Sequence, residues 1–348
     1  RPRGILFDSE GALIVIDSGN GILHFELEDG GGTCLQVTKK TTLLKQDNLN
    51  HGLAISKDGR TLYASSSNDV FAWSYDPSKV TIDNSTVQTL VTNMANSGHT
   101  SRTLLISDKD PDMLLVSRGS AGNDDRGAED QETGRSQIRA FNISSAIESY
   151  GEPYDYLDGL RLGWGLHIHK DNPAEEMNFH GYLNGSREDQ GGNYGYPHCY
   201  TLWSTEDFPN RGDLKVGDQF PADRNREPPV GYQISEIPFE DGRPANSSRS
   251  RDAATPIIYN EKLSSCPDDC FRPVGLAWDT QGRLWFSSDK TGEIFVLNHN
   301  KDDSSQDGSS KGDSDDDDDN DNSAFSLRPG SAALIVTMAA VIMGGFLA

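Results

Sequence analysis

The chain has 348 residues, a formal net charge of −23 and a pI near 4.6. Its 35 glycines and the lack of a long helical periodicity favour short strands and many turns over a helix bundle. The negative charge opposes the approach of nucleic acids and anionic membrane surfaces, so we expect neither as a direct partner.

Four segments of the chain share one pattern, an alternating apolar strand followed by a tight turn and a second alternating strand. Period-two alternation predicts antiparallel β-structure. The first three segments begin about 50 residues apart, a spacing typical of propeller blades. The segments begin at Gly4 (GILFDSEGALIVIDSGNGILHFEL), Gly52 (GLAISKDGRTLYASSSNDVFAWSYD), Arg102 (RTLLISDKDPDMLLVSRGS) and Val274 (VGLAWDTQGRLWFSSDKTGEIFVL). We therefore predict an all-β propeller over residues 1–300, with an irregular β-sandwich as the alternative.

The middle of this domain is less regular. We expect residues 123–135 (NDDRGAEDQETGR) to form a polar loop over one mouth of the channel. Within residues 207–251, only the segment 231–239 is predicted as a clear strand. Fewer blades than six are recognisable.

The C-terminal residues predict a surface anchor. Residues 301–331 contain ten aspartates between Lys301 and Asn322, and such a segment is expected to be a disordered acidic stalk. Residues 332–348 (AALIVTMAAVIMGGFLA) are apolar and follow a polar spacer and a small-residue cluster that begins at Asn322. This order is typical of a GPI-anchor signal, with attachment at Asn322. A short tail-anchored transmembrane helix is the alternative.

Two further features favour an extracellular, cell-surface location. Cys266 and Cys270 enclose a short loop in which a local disulfide is expected, with a zinc half-site as the alternative. No leader precedes the first strand, so we expect a start that is either processed or missing. N-glycosylation is predicted at four acceptor tripeptides, those of Asn84, Asn142, Asn184 and Asn246.

Five segments, in consistent order, resemble the fungal pyrroloquinoline-quinone (PQQ) dependent pyranose dehydrogenases and, more distantly, the bacterial soluble glucose and sorbosone dehydrogenases. They are NHGLAISKDGRTLYASS, SGHTSRTLLISDKDPDMLLVSRGSAGN, DNPAEEMNFHGYLNG, GGNYGYPHCY and CPDDCFRPVGLAWDTQGRLWFSSDKTGEIFVL. The resemblance implies a six-bladed propeller with PQQ and calcium at the channel mouth. It also implies oxidation of a pyranose sugar at its anomeric hydroxyl, with an external quinone or haem protein as electron acceptor.

The resemblance also implies roles for individual residues. His99 corresponds to the general base, a task for which an imidazole is suited because its pKa lies near neutrality. Arg102, three residues later, would pair with the carboxylates of PQQ, as a planar guanidinium can. Asn50, His51 and Arg272 precede predicted strands, where propellers present groups to the channel, and are expected to contact the cofactor.

Asn172 and Pro173 correspond to the pair whose backbone carbonyls hold calcium in the bacterial relatives. A hard cation prefers oxygen ligands, and a turn fixed by proline supplies them. The ion would polarise the quinone. Asn193, Tyr194 and Tyr196 are expected to fix the adjacent loop.

The chain departs from the family pattern at two joins. Between Leu166 and His167 it lacks a hairpin that follows a PQQ-binding Arg-Asn pair in relatives, and between Asp223 and Arg224 it lacks a further strand pair. Missing strands leave backbone groups unpaired and remove cations that would neutralise PQQ. Skipped coding segments or an error in the gene sequence would explain both joins; if the chain is the real product, we expect an incomplete propeller with impaired catalysis.

Two other functions fit parts of the pattern. A non-catalytic surface glycoprotein that acts in binding or adhesion agrees with the two departures. A calcium-dependent lactonase shares the fold class, because fold alone does not determine chemistry. A lactonase needs several carboxylates in the channel around one ion, and the sequence does not identify them.

Overall fold

The computed structural model describes residues 1–29, 35–122, 125–144, 153–164, 180–183, 186–202, 212–221, 232–240, 243–247, 249–250, 253–266 and 268–297. Several predictions concern residues outside these ranges, namely Asn172, Pro173, Asn184, Asn322, the joins after Leu166 and Asp223, the acidic stalk and the apolar tail. Within the described ranges the fold is all-β, with a few short 3₁₀ helices.

The first two sheets are built from consecutive strands, as the repeat predicts. The first contains β1 (Pro2–Phe7), β2 (Leu13–Asp17), β3 (Gly21–Asp29) and β4 (Leu35–Lys45), paired antiparallel in that order. The second contains β5 (Leu53–Ile55), β6 (Thr61–Ser65), β7 (Val70–Asp76) and β8 (Thr81–Thr92). The middle strands are buried along most of their length, because neighbouring sheets cover both of their faces.

The third sheet interleaves strands with short helical turns. Its strands begin with β9 (Leu104–Ile106), β10 (Met113–Arg118) and β11 (Gln137–Asn142), and the 3₁₀ helices Arg126–Glu129 and Gln131–Thr133 lie between β10 and β11. β12 (Tyr154–Asp155) then joins the outer edge of the second sheet, and the 3₁₀ helix Tyr156–Asp158 leads to β13 (Leu160–Trp164), which pairs with β11 and with β14 (Gly192–Asn193). The predicted loop 123–135 is thus partly helical, because Asp125 and Asp130 cap its two turns.

The remaining strands form small sheets and one further blade. The strands are β15 (Cys199–Thr201), β16 (Gln219–Pro221), β17 (Gln233–Glu236), β18 (Phe239–Glu240), β19 (Arg243–Pro244) and β20 (Thr255–Tyr259), followed by the 3₁₀ helix Leu263–Ser265, β21 (Pro273–Trp278), β22 (Leu284–Ser288) and β23 (Glu293–Leu297). β15 pairs with β16, β17 with β20 and β18 with β19, while β21, β22 and β23 form the last blade. The all-β, propeller-like arrangement is confirmed with four blades among the described residues, and the number six stays a prediction.

The four blades are neighbours around a common centre. β1 contacts both β21 and β5, and β5 contacts β9, so the last blade lies beside the first. Apolar clusters fill the spaces between neighbouring blades. In one, Trp285 of the last blade packs with Ile5 and Val15 of the first; in another, Trp73 of the second blade packs with Ile14 and Ile16. Burial of these large apolar side chains is the main stabilising contribution to the packing of neighbouring blades.

One joint recurs between successive blades. A glycine of each inner strand lies so close to the next blade that an added Cβ would overlap a backbone oxygen there. The overlapping pairs are Gly275 with Arg3, Gly4 with His51 and Gly52 with Arg102. Serine hydroxyls of the second strands reinforce two of these joints, because Ser287 Oγ donates to the Arg3 oxygen (2.6 Å) and Ser65 Oγ to the Arg102 oxygen (2.9 Å). Arg3, His51 and Arg102 therefore occupy equivalent positions in three consecutive blades.

Some of the predicted extracellular features fall within the described residues. Cys266 and Cys270 form the expected disulfide, with their Cα atoms 5.2 Å apart. Asn84 in β8 and Asn142 at the end of β11 are exposed, whereas Asn246 is half-buried, and their glycosylation stays a prediction. In the described part of the chain, no helix is both long enough and apolar enough to cross a membrane.

Candidate functional site

Charged and polar side chains gather where the inner strands of the four blades begin. Arg3 lies at the start of β1, His51 shortly before β5, His99 shortly before β9 and Arg272 directly before β21. Because the blades surround a common axis, these positions lie close together at one end of that axis. We call this group, together with Asp289, the inner-strand cluster.

Two arginines of the cluster, Arg272 buried and Arg3 largely buried, share a single carboxylate. Asp289 Oδ1 accepts a hydrogen bond from Arg272 Nε at 2.6 Å, and Asp289 Oδ2 accepts one from Arg3 Nη1. Arg3 Nε is buried with no partner among the described residues. Two guanidinium charges against one carboxylate leave this point with an excess of positive charge.

His51 and Asn50 present further polar atoms beside these arginines. Burial, together with the charge of Arg3, lowers the pKa of His51 to about 3, so the imidazole is neutral at physiological pH. Asn50 Nδ2 donates to the backbone oxygen of Thr100 at 3.0 Å. His51 Nδ1 and Asn50 Oδ1 are buried, and neither atom has a hydrogen-bond partner among the described residues.

Hydrogen bonds from Arg3 and Asn50 hold the loop that contains His99. Arg3 Nη2 donates to Ser101 Oγ at 2.9 Å, and the Asn50 contact fixes Thr100. The imidazole of His99 is half-buried, and its Nδ1 lies 2.8 Å from Ser120 Oγ. The structure thus brings His99, Asn50, His51 and Arg272 to one region, and their roles towards a cofactor stay predictions.

Arg102 binds acceptors in and before the loop that contains His99. Its side chain is fully buried, and its two Nη atoms donate to the backbone oxygens of His99 (2.8 Å), Ser101 (2.8 Å) and Met94 (2.7 Å) and to the Asn96 side chain. These acceptors use all four Nη hydrogens, and the buried Nε–H has no partner among the described residues. Burial lowers the pKa of Arg102 to about 10, which leaves the guanidinium charged at neutral pH. Arg102 therefore holds the His99 loop in place.

The sequence did not identify three members of the site: Arg3, Asp289 and Ser120. One signal for Arg3 was present, because it precedes Gly4 just as His51 precedes Gly52 in the next repeat. Asp289 and Ser120 follow the second strands of their blades and carry no such signal. Their roles depend on contacts with residues 286 and 21 positions away.

The polar atoms and the charge of the cluster suit an anionic ligand. The buried Arg3 Nε and the positive charge of the arginine pair suit carboxylates, and the buried Asn50 Oδ1 and His51 Nδ1 offer further polar contacts. Among the described residues, no group of three or more His, Cys, Asp or Glu could hold a metal. The predicted calcium pair, Asn172 and Pro173, lies outside those residues.

Comparisons with known proteins identify the family of this chain. The TrAA12-like family matches residues 1–167, 166–227 and 223–300. A PQQ-dependent sugar dehydrogenase of Hypocrea jecorina is 42% identical over 377 residues, which cover 88% of this chain and 87% of that protein. A calcium structure of the Trichoderma reesei carbohydrate-active enzyme family AA12 has a TM-score of 0.78 at 43% identity, covering 85% and 92% of the two chains. The holo PQQ domain of the Coprinopsis cinerea pyranose dehydrogenase has a TM-score of 0.69 at 27% identity, with the same coverage.

The alignments also bear on the two departures from the family pattern. The Hypocrea alignment spans 377 positions, more than the 348 residues of this chain, so that relative contains segments without a counterpart here. The three segments matched by the family meet at residues 166–167 and 223–227, where the sequence predicts missing strands. The resemblance to PQQ-dependent sugar dehydrogenases is confirmed. This chain belongs to the TrAA12-like family.

Proposed function

We propose that this protein oxidises a pyranose sugar at its anomeric hydroxyl with PQQ as its cofactor. One observation carries the proposal: a histidine held through Nδ1 lies on a loop that contacts an arginine pair with excess positive charge. The names of the relatives, PQQ-dependent sugar and pyranose dehydrogenases, support this assignment.

Each side chain of the site then has a task. Arg3 and Arg272 hold carboxylates of the cofactor, and Asn50 and His51 offer polar contacts to it. His99 accepts the proton of the anomeric hydroxyl as the carbon is oxidised, so that the sugar leaves as a lactone. When bound, PQQ supplies the quinone that accepts the hydride.

Calcium and the electron acceptor complete the proposal. Carbonyl oxygens at Asn172 and Pro173 would bind calcium, which prefers oxygen ligands. An external quinone or haem protein would take up the electrons. Segments that the Hypocrea relative contains and this chain lacks are expected to weaken cofactor binding, because fewer groups remain to contact it.

Titration of the purified protein with PQQ tests the function. We expect PQQ with calcium to quench the fluorescence of the five tryptophans in a saturable way, and EDTA to weaken the effect. With sugar and a dye acceptor, the loaded protein should reduce the dye. Protein without PQQ serves as the control.

Two results would contradict the proposal. Absence of both quenching and dye reduction, in protein that unfolds cooperatively, would favour a non-catalytic surface glycoprotein. Hydrolysis of lactones without PQQ would favour a lactonase.

We also propose that the mature protein is extracellular and bound to the cell surface by a GPI anchor at Asn322. The proposal rests on the acidic stalk, the small cluster and the apolar residues 332–348. A phospholipase that cuts GPI anchors is expected to release the protein from intact cells. Complete retention on the cells after this treatment would argue for a transmembrane tail.

A further inference from the structure

The partners of Ser120 determine where its hydroxyl hydrogen points. Ser120 Oγ lies 2.7 Å from the backbone oxygen of Gly122 and 2.8 Å from His99 Nδ1. A hydroxyl has one hydrogen, and a carbonyl oxygen can only accept. The hydrogen of Ser120 is therefore donated to Gly122, and Ser120 Oγ is left to accept a hydrogen from His99 Nδ1.

The Gly122 carbonyl is itself fixed by Tyr196. Tyr196 Oη donates to the Gly122 oxygen at 2.9 Å, and it accepts a hydrogen bond from the Asp125 backbone nitrogen at 2.8 Å. Ser120 and Tyr196 are both almost completely buried, so bulk water does not compete for these bonds. A chain of hydrogen bonds thus runs from His99 through Ser120 and Gly122 to Tyr196.

The backbone around His99 is fixed as well. The His99 nitrogen donates to the Ser120 oxygen at 3.0 Å, and Asn96 Nδ2 donates to that same oxygen at 2.7 Å. Gly119 allows this approach, because an added Cβ there would lie 2.8 Å from the His99 Cβ. The ring and the hydroxyl are therefore held at a constant distance.

We propose that Ser120 is a positioning residue that keeps His99 in the tautomer with hydrogen on Nδ1 and the lone pair on Nε2. The inference rests on the proposed function, in which His99 accepts a proton from the substrate hydroxyl. That O–H bond breaks, and the proton binds to Nε2. The positive charge on the ring then strengthens the Nδ1 hydrogen bond to Ser120. Without Ser120 the ring would favour the opposite tautomer, with hydrogen on Nε2, which is the more stable one for a histidine side chain in water.

The tautomer can be measured without any cofactor. Protein labelled with ¹⁵N-histidine gives ring-nitrogen spectra, in which His99 is assigned among the eight histidines by its loss in His99→Gln. We expect a protonated Nδ1 and an unprotonated Nε2 for His99 at neutral pH. In Ser120→Ala the pattern should shift towards protonated Nε2, while Ser120→Thr, which keeps the hydroxyl, should retain the original pattern.

Kinetics of the PQQ-loaded protein supply the second measurement. Ser120→Ala is expected to lower kcat about 10- to 100-fold, a part of the usual contribution of a general base. KM and the quenching by PQQ should be unchanged, and Ser120→Thr should restore most of kcat. A wild-type His99 protonated on Nε2, or an unchanged tautomer in Ser120→Ala, would overturn the inference. Full activity of His99→Gln would instead overturn the proposed role of His99, and the cofactor-free spectra keep these two failures distinct.

Discussion

Replacement of His99 by glutamine is expected to lower kcat for sugar oxidation by about 10²- to 10⁴-fold. Glutamine keeps a polar side chain in the loop but has no nitrogen that can accept a proton. The loop itself should stay in place, because Arg102 and Asn50 hold its backbone. Steady-state kinetics with a dye acceptor, with PQQ in excess, give the measurement.

His198→Gln is the matched control for this variant. His198 is an exposed surface residue, in contact with Glu129 and Arg126, and the same substitution there should leave kcat unchanged. Tryptophan quenching should show that His99→Gln still binds PQQ. If His99→Gln kept the wild-type kcat, another group would have to accept the hydroxyl proton.

Asp289→Asn is expected to lower the free energy of unfolding by about 3 to 5 kcal/mol. The Asp289 side chain is nearly fully buried, and it is the carboxylate that Arg3 and Arg272 share. The amide preserves the shape of the side chain but removes its charge, which leaves two buried guanidinium groups uncompensated. Urea unfolding at neutral pH, with the slope unchanged, measures the loss.

Asp76→Asn provides the comparison for that variant. Asp76 forms an exposed ion pair with Lys79, and solvent screens such a pair, so the urea midpoint should not change measurably. A similar midpoint for Asp289→Asn and the wild type would mean that the arginine pair does not depend on Asp289. Other contacts between the last and the first blade, such as the hydrogen bond from Ser287 Oγ to the Arg3 backbone oxygen, would then have to stabilise this interface.

The strands of the four blades could be predicted because their pattern is local. Alternating apolar residues and turn dipeptides lie within each repeat, and the structure confirms strands at Gly4–Asp29, Leu53–Asp76 and Pro273–Leu297 with turns between them. The 123–135 segment was predicted only as a loop. Its two helical turns depend on Asp125 and Asp130, whose capping role the composition alone did not reveal.

The candidate site was predictable only in part. His99, Asn50, His51 and Arg272 came from the family resemblance, and the structure brings them to one region. The four Nη hydrogens of Arg102 bind acceptors in and before the His99 loop, and its contact with a cofactor carboxylate stays a prediction. The sequence could not show these contacts, because an arginine three residues after a histidine looks the same whether its guanidinium faces a ligand or its own loop.

By itself, the sequence determined the class of fold and the family. Both can be recognised from short repeats and motifs, each of which consists of residues that are neighbours in the chain. Tertiary structure alone decided which charges share a carboxylate and which hydroxyl faces the base. Arg3 meets Asp289 across 286 residues, and His99 meets Ser120 from the far end of a different strand. The first contact forms because the last blade packs beside the first, and the second forms because β9 and β10 pair within one blade; neither pairing can be read from the order of residues in the chain.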